Sequence, residues 1–371
     1  TPNSRHVHHM EPFYPFIAPL RQHSNNRVGL VSIITRTKNR PGLLRRALAS
    51  ASRQTYSQWE HIIVNDGGAR DEVEAVLAGL DQEQVGKTRV IHLPQSIGME
   101  GASNAGLSTA TGEFFVIHDD DDTWHADFLA GAVDFLRAPR NECLVAVATN
   151  CEIVLEEEDA DGTYRTTDRK AWNLWSKQIQ LQDLLTRNTI PTISLLIRRD
   201  VLQHLKGYAE KMPVLGDWDF NIRLLLLGDI GTIDRKLAYY HQRTTQADAT
   251  SNSVSGGLEK HHEYWRKYRN SLTRRTLSEN PATIGLLNPV LTKIDELRQQ
   301  QAHELTRIQT SLEGLHQAIQ RLEIFLNASA QESRAHLRDE AREIRHLIQE
   351  APRPMNSIQH IMMKIRRLIG R

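Results

Sequence analysis

The stretch Gly112–Trp124, which reads GEFFVIHDDDDTW, indicates where the fold places its binding edge. An apolar, β-rich run, Phe114–Ile117, ends in four consecutive aspartates, Asp119–Asp122, and a helical pattern of apolar residues follows. In an open α/β sheet such a context places the carboxylates at the carboxyl edge, where ligands bind. Mg²⁺ and Mn²⁺ prefer oxygen ligands, so the run is a candidate metal–phosphate site. A solvated acidic turn that caps the next helix is the alternative.

Three similar units precede this stretch. Apolar runs at Leu30–Thr35, His61–Val64 and Arg89–Leu93 each lead into a turn and then into residues with helical periodicity. Strands that are apolar throughout predict a parallel sheet covered by helices on both faces. The polar residues that end the first two strands, Thr35–Thr37 and Asn65–Asp66, should therefore collect at the same edge as the aspartates.

The composition limits which partners and which cellular compartment are expected for this protein. A formal net charge of +1 gives no global reason to expect a nucleic-acid partner. Cys143 and Cys151 cannot form a disulfide framework and suit a reducing compartment. No run approaches the roughly 18 apolar residues of a membrane span, and residues 1–27 lack the apolar core of a signal peptide. We therefore expect a cytoplasmic protein.

The C-terminal part has a different pattern. Its apolar residues alternate spacings of three and four, and this predicts a coiled coil and a homo-oligomer: Leu305, Ile308, Leu312, Leu315, Ile319, Leu322 and Leu326. A lone amphipathic helix packed on its own domain is the alternative. Residues 355–371 predict a short basic amphipathic helix, which is typical either of peripheral contact with the inner face of a membrane or of a bundle helix.

These patterns predict five regions. They are an irregular extension at 1–27, an α/β domain at 28–270, a linker at 271–289, a coiled-coil helix at 290–350 and the basic helix at 355–371. Within the second region, Thr244–Gly257 is rich in small polar residues and predicts either an active-site lid or a disordered connector.

Four motifs in this order resemble the family 2 glycosyltransferases of the GT-A fold. They are VSIITRTKNRPGLLRRALAS, QTYSQWEHIIVNDGG, GASNAGLSTATGEFFVIHDDDDTW and GDWDFNIRL, and the resemblance covers roughly Val28 to Arg243. It implies a Rossmann-like, mostly parallel α/β sheet with helices on both faces, here followed by the C-terminal coiled coil. It also implies a nucleotide-sugar donor, most simply linked to UDP, and an acceptor hydroxyl on a glycan or a lipid-linked molecule.

The resemblance also suggests roles for individual residues. It places near the nucleotide sugar Thr35, Arg36, Thr37, Asp66, Asn104, Asp119 and Asp120. It makes Asp121 the first choice for ligating Mn²⁺ or Mg²⁺, with Asp119 contributing through the ribose or a metal-bound water. Asp122 is expected to cap the following helix.

The resemblance identifies Asp217 as the catalytic base. Transfer to an alcohol requires a positioned carboxylate to accept the proton, and a base opposite the leaving group implies inversion at the anomeric carbon. Near a helix start, Asp217 should be held by backbone amides and kept ionised. Asp219 is the second choice.

Two positions depart from the family pattern. Gly216 stands where the family usually has Glu, so a second carboxylate beside the base is expected to be missing. Ser103 stands where Arg is common, which puts one phosphate contact in doubt.

The Q-x-x-R-W motif of processive synthases is absent, so we expect addition of one or a few sugars in surface polysaccharide or glycoconjugate synthesis. A sugar-nucleotide pyrophosphorylase and a non-catalytic scaffold working through its coiled coil are the alternatives.

Overall fold

In the computed structural model of the chain, the described residues form one sheet of nine strands. They are β1 (Arg27–Thr37), β2 (Trp59–Asn65), β3 (Thr88–His92), β4 (Gly112–Asp119), β5 (Thr123–Trp124), β6 (Ala146–Glu158), β7 (Tyr164–Ala171), β8 (Leu195–Arg198) and β9 (Ile230–Arg243). The order is β3-β2-β1-β4-β8-β6-β9-β5, and β7 pairs with β6. The first four strands are parallel, β8 is antiparallel to β4 and β6, and β9 is parallel to β6.

The structure describes residues 26–159, 163–172, 179–243 and 258–349. The predicted extension (except residues 26 and 27), the predicted lid at 244–257 and the predicted basic helix at 355–371 therefore lie outside the described residues. The chain divides into two compact units, Thr1–Leu272 and Thr273–Arg371.

Ten α-helices occur in the described part of the chain. They are α1 (Pro41–Ser52), α2 (Arg70–Leu77), α3 (Gln82–Lys87), α4 (Gly98–Thr109), α5 (Phe128–Arg137), α6 (Leu181–Thr186), α7 (Leu202–Leu205), α8 (Gly216–Leu227), α9 (Leu258–Glu279) and α10 (Thr283–Gln349).

Both faces of the sheet are buried by helices. Ile34 of β1 packs in the core with residues of α4 and α8, while Ile33 packs in a second core with residues of α5. Successive side chains of a strand point to opposite faces, so a strand covered on both sides is mostly apolar in its middle, as β1 is at Leu30–Ile34 apart from Ser32. The predicted fold class, a mostly parallel sheet with helices on both faces and a long C-terminal helix, is confirmed.

The carboxyl ends of β1, β2 and β4 are neighbours. In the strand register Arg36 of β1 lies beside Asp119 of β4, and Thr37 lies beside Asn65 of β2. The turn after β2 requires a glycine: Gly67 has a φ of +69°, and a Cβ there would lie 2.4 Å from the backbone nitrogen of Ser96. This close approach brings the end of β2 against the segment that leads into α4.

The second unit consists of helix in the described residues up to 349. Residues 271–279 belong to α9 and residues 283–289 to α10, so the predicted linker at 271–289 is helical except at residues 280–282. The break falls at Asn280, which precedes Pro281, because a residue before proline disfavours the helical conformation. No helix in the described ranges is long and apolar enough to cross a membrane. The predicted domain boundaries stay predictions.

Candidate active site

Arg36 and Asp119 form an ion pair between β1 and β4. Arg36 Nε donates to Asp119 Oδ1 at 3.1 Å, and Arg36 Nη2 contacts the same oxygen. A third nitrogen, Arg36 Nη1, donates to Ser103 Oγ of α4 at 3.1 Å. Two residues predicted to contact the nucleotide sugar are thus joined to each other and to α4.

Asp120 and Asp121 are also paired with arginines. Arg40 Nη1 lies 3.3 Å from Asp120 Oδ1 and 3.6 Å from Asp121 Oδ2, and Arg243 Nη2 donates to Asp121 Oδ2 at 2.6 Å. Oδ2 of Asp120 is buried and has no hydrogen-bond partner among the residues that the structure describes. Burial, with the neighbouring charge of Asp121, raises the pKa of Asp120 to about 7.

Asp122 does not cap a helix, contrary to the prediction. Its Oδ1 accepts a hydrogen bond of 2.9 Å from the backbone amide of His241 in β9. The helix that follows, α5, begins after Asp127 and has no side-chain cap. Asp122 is almost fully buried because β9 runs beside it, and this burial, with the charge of Asp121, raises its pKa well above the usual range.

A buried polar cluster contacts the aspartate run through His241, whose amide donates to Asp122. Glu156 of β6 accepts two hydrogen bonds of 2.9 Å from Arg46 of α1, and its Oε1 lies 2.6 Å from His241 Nδ1. These residues fix β9, the strand that ends at Arg243, against β6 and α1. No local sequence pattern predicts this cluster, because its members belong to three separate elements.

The aspartate run can accommodate a divalent cation. Asp119 uses Oδ1 for its contacts with Arg36, and Asp121 uses Oδ2 for its contacts with arginines, so the other oxygen of each takes no part in these ion pairs. Mg²⁺ is commonly held by one or two carboxylates together with phosphate oxygens and water. In the described ranges no three His, Cys, Asp or Glu side chains are placed to hold a metal by themselves. The donor set therefore fits a cation shared with a bound diphosphate.

Asp66 holds the segment that enters α4. Its Oδ1 accepts from the amide of Ile97 at 2.7 Å, and its Oδ2 accepts from Ser96 Oγ at 2.6 Å and from the amide of Gly98 at 3.1 Å. Its own amide donates to the carbonyl oxygen of Thr37 at 2.9 Å. Asp66 and Thr37 thus lie side by side at the predicted edge, and their contact with a nucleoside stays a prediction.

The structure does not bring the side chains of Thr35 and Asn104 to this edge. Thr35 is buried within the sheet, and its hydroxyl lies 2.7 Å from His61 Nε2 and 3.2 Å from His118 Nδ1. Asn104 binds both the carbonyl oxygen and the amide of Tyr208, at 2.9 and 2.8 Å. Both residues act as internal supports, Thr35 within the sheet and Asn104 between α4 and the loop before α8.

Asp217 lies at the start of α8. Its Oδ2 accepts a hydrogen bond of 2.7 Å from Asn188 Nδ2. Burial raises the pKa of Asp217 and outweighs the opposing effects of the Trp218 amide and of Asn188. The predicted stabilisation of the charged form by a backbone amide is present, at Trp218, but burial has the larger effect on the pKa. The carboxylate of Asp219 has other partners. Arg223 Nη2 lies 2.7 Å from its Oδ2, and the Tyr268 hydroxyl donates to its Oδ1 at 3.0 Å.

Glu100 is a site residue that the sequence analysis missed. It lies in the first turn of α4, is only 4% exposed, and occupies the space beside Gly216. Burial raises its pKa to about 7; Arg36 opposes this shift and Asp217 adds to it. The second carboxylate beside the base, expected to be missing at Gly216, is thus supplied by another helix. No local pattern links the two positions.

The first turn of α4 joins the predicted acidic positions. The amide of Gly98 donates to Asp66, the carbonyl oxygen of Met99 accepts from Arg36, and Glu100 lies against Gly216. Since Arg36 binds Asp119 and Asp217 follows Gly216, the ends of β2 and β4 and the start of α8 meet around one helix start. The arrangement offers carboxylates and cations on one side and a buried acid pair on the other.

Comparison with known proteins agrees with this geometry. The model described as Glycosyl transferase family 2 matches residues 32–206. A PGL/p-HBAD biosynthesis glycosyltransferase of Mycobacterium bovis is 30% identical over 196 residues, which cover 52% of this chain and 69% of that protein. The chain belongs to glycosyl transferase family 2. An uncharacterized glycosyltransferase of Bacillus subtilis is 31% identical over 193 residues, which cover 52% of this chain and 67% of that protein.

Solved structures with a similar fold have low sequence identity to this family 2 chain. S. aureus TarS 1-349 in complex with UDP-GlcNAc is 16% identical, with a TM-score of 0.44, over 60% of this chain and 61% of that one. The mannosyltransferase PcManGT from Pyrobaculum calidifontis, in complex with GDP-Man and Mn2+, is 18% identical, with a TM-score of 0.42, over 61% and 60%. The chain thus spans about three fifths of the length of each of these structures.

The family assignment confirms that the protein is a glycosyltransferase. The alternatives from the sequence analysis, a sugar-nucleotide pyrophosphorylase and a non-catalytic scaffold, gain no support. The roles of the individual site residues stay predictions.

Proposed function

We propose that this protein is a metal-dependent, inverting glycosyltransferase. It transfers a sugar from a nucleotide-sugar donor, most simply a UDP-sugar, to a hydroxyl of a glycan or lipid-linked acceptor in surface polysaccharide or glycoconjugate synthesis. The observation that carries the proposal is the convergence of Asp66, the run Asp119–Asp122 and Asp217 around the start of α4. Ligands bind at such a carboxyl edge in open α/β sheets.

The donor's diphosphate is assigned to the aspartate run and its arginines. A Mg²⁺ or Mn²⁺ ion held there by Asp121 and Asp119 supplies positive charge to the leaving diphosphate when bound. Arg36 and Arg40 border the same carboxylates, and their side chains are 12% and 23% exposed, so both can reach an anionic ligand. Asp66 and Thr37, beside them, are assigned to the nucleoside.

Asp217 is assigned as the base. Its carboxylate accepts the proton of the acceptor hydroxyl while the acceptor oxygen bonds to the anomeric carbon, and the bond from that carbon to the diphosphate oxygen breaks. The nucleoside diphosphate leaves with the electron pair, and the configuration inverts. Burial raises the pKa of Asp217, which makes its carboxylate a stronger base than an exposed aspartate. Asn188 holds the carboxylate in place.

A thermal-shift screen tests the donor and the metal together. UDP-, GDP- and dTDP-sugars are added with and without MnCl₂, because a ligand of the native state raises its melting temperature. We expect a UDP-sugar to raise the melting temperature only when Mn²⁺ is present. A shift with GDP- or dTDP-sugars alone would change the assigned donor, a shift without metal would contradict metal dependence, and no shift with any of them would contradict the whole proposal.

Self-association through α10 is a second part of the proposal. The seven apolar residues of the predicted seam, Leu305 to Leu326, are between 47% and 66% exposed in the single chain. A regular row spaced three and four residues apart matches the same row on a second copy. Changing both Leu312 and Ile319 to Lys should lower the mass in light scattering. The matched control changes Thr310 and Gln317 to Lys instead, because these residues lie on the opposite side of the helix. Equal masses for both variants would contradict the proposal.

A peripheral location at the inner face of the cell membrane completes the proposal. It relies on the sequence of residues 355–371, whose basic and apolar residues suit an anionic lipid surface. Full-length protein should sediment with vesicles that contain phosphatidylserine, and a chain ending at residue 354 should not. Equal sedimentation of both would contradict this location.

A further inference from the structure

The space beside Gly216 is filled by the side chain of Glu100. A Cβ at Gly216 would lie 2.2 Å from Glu100 Oε1, 2.3 Å from Cγ and 2.6 Å from Cδ. Non-bonded carbon atoms pack at about 3.5–4.0 Å, so no side chain at 216 is compatible with this position of Glu100. Gly216 and Glu100 therefore form a matched pair.

A glutamate at position 216 would carry its carboxyl group at a similar distance from the Cβ position of residue 216. The carboxyl carbon of glutamate lies two C–C bonds, or about 2.5 Å, from its own Cβ. The Cδ of Glu100 lies 2.6 Å from the Cβ position of residue 216. The fold therefore offers room for one carboxyl group here, and either helix can supply it.

The surroundings of this carboxyl group belong to the active site. Charged and titratable groups approach Glu100 from each element packed against it: Arg36 of β1, Asp119 of β4, Tyr208 before α8 and Asp217 of α8. Arg36 binds Asp119 directly and also attracts Glu100. Burying a carboxyl group costs free energy unless the group is paired or hydrogen-bonded.

We propose that Glu100 is a positioning residue for the base: its carboxyl group, packed against Gly216 and near the charge of Arg36, fixes the first turn of α8 and so directs Asp217 at the acceptor hydroxyl. This inference depends on the proposed role of Asp217. A small displacement of a catalytic group can lower the rate by about a hundredfold. Loss of the Glu100 carboxyl group should therefore lower kcat and leave donor binding intact.

The test moves the carboxyl group from α4 to α8. The full-length chain is assayed with MnCl₂ for release of nucleoside diphosphate from UDP-glucose, UDP-N-acetylglucosamine, GDP-mannose and dTDP-rhamnose, with water as the acceptor. In this reaction Asp217 accepts a proton from water as the water oxygen bonds to the anomeric carbon. We expect Glu100→Gln and the double variant E100A/G216A to lower kcat about tenfold to a hundredfold with an unchanged KM for the donor. The double variant E100A/G216E should recover kcat to within about threefold of the wild type.

The outcomes separate this inference from the proposed function. If the wild type releases no nucleoside diphosphate from any donor, the proposed function fails, and the role of Glu100 fails with it. If the wild type is active and Glu100→Gln is equally fast, only the role of Glu100 is wrong. The same conclusion follows if E100A/G216E is folded, by thermal melting, but no faster than E100A/G216A. Glu100→Gln keeps the shape of the side chain, so it decides the matter even if the double variants do not fold.

Discussion

The aspartate run and the pair formed by Asp217 and Glu100 are both buried groups of carboxyl side chains, but their partners differ. In the run, Asp119 binds Arg36 and Asp121 binds Arg243, so guanidinium groups compensate much of the charge. In the pair, Asp217 accepts a hydrogen bond from the neutral side chain of Asn188. Glu100 is near the charge of Arg36, which also binds Asp119. Asp119 and Asp121, which are paired with arginines, suit the binding of a cation and a diphosphate. Burial raises the pKa values of Glu100 and Asp217, as it does those of Asp120 and Asp122 within the run, and a carboxyl group with a raised pKa suits proton transfer.

Replacing the base should have the largest effect. Asp217→Asn removes the proton acceptor but keeps the size of the side chain, so we expect kcat to fall by about a hundredfold to ten thousandfold while donor binding is unchanged. Steady-state kinetics and calorimetry measure the two quantities. Asp219→Asn is the matched control, because Asp219 lies on the same helix and contacts Arg223 and Tyr268 instead. A near-normal kcat for Asp217→Asn would move the base elsewhere.

Replacing a carboxylate of the run should affect binding rather than the chemical step. Asp121→Ala should weaken Mn²⁺-dependent binding of UDP by about a hundredfold, since the cation loses one of two carboxylate ligands. Isothermal calorimetry with and without Mn²⁺ measures this change, and Asp121→Asn serves as a second variant that preserves the shape of the site. Asp134→Ala, on the exposed side of α5, is the control. Unchanged binding would contradict the assignment of Asp121 as a ligand.

The smallest effect should appear in the pH dependence of stability. The native pKa of Glu100 is about 7, above its ordinary value of 4.5, so the native state binds more protons than the unfolded state between these values. Stability should therefore fall as the pH rises through this window, by about 2.5 kcal/mol between pH 5 and pH 8. Glu100→Gln cannot ionise, so its fall should be smaller than that of the wild type by this amount, while other buried carboxyl groups such as Asp120 contribute equally to both.

Urea unfolding at both pH values, with EDTA present, gives the free energy of unfolding for each variant. The exposed Glu72→Gln should follow the wild type. A pH dependence that is the same in Glu100→Gln and in the wild type would show that Glu100 ionises normally, and the contrast between the two acidic regions would then disappear.

Local sequence patterns were sufficient to predict these strands and the edge of the sheet at which they end. The apolar runs that become β1, β2 and β4 are continuous because both faces of the sheet are covered, and each is followed directly by polar residues. The positions of Asp66, Asp119 and Asp217 at strand ends or at a helix start therefore follow from neighbouring residues. The long helix α10 follows in the same way from its apolar spacing.

The partners of these residues depend on strand order and register instead. Asp122 binds the backbone of β9 because that strand runs beside it, and Arg243 reaches Asp121 for the same reason. Glu100 replaces a side chain at Gly216 because α4 and α8 pack on the same face of the sheet. Contacts between residues far apart in the chain do not appear in any local pattern. The positions of Asp66, the aspartate run and Asp217 were therefore predictable from the sequence, whereas Glu100, the ionisation of these groups and their supporting partners required the folded molecule.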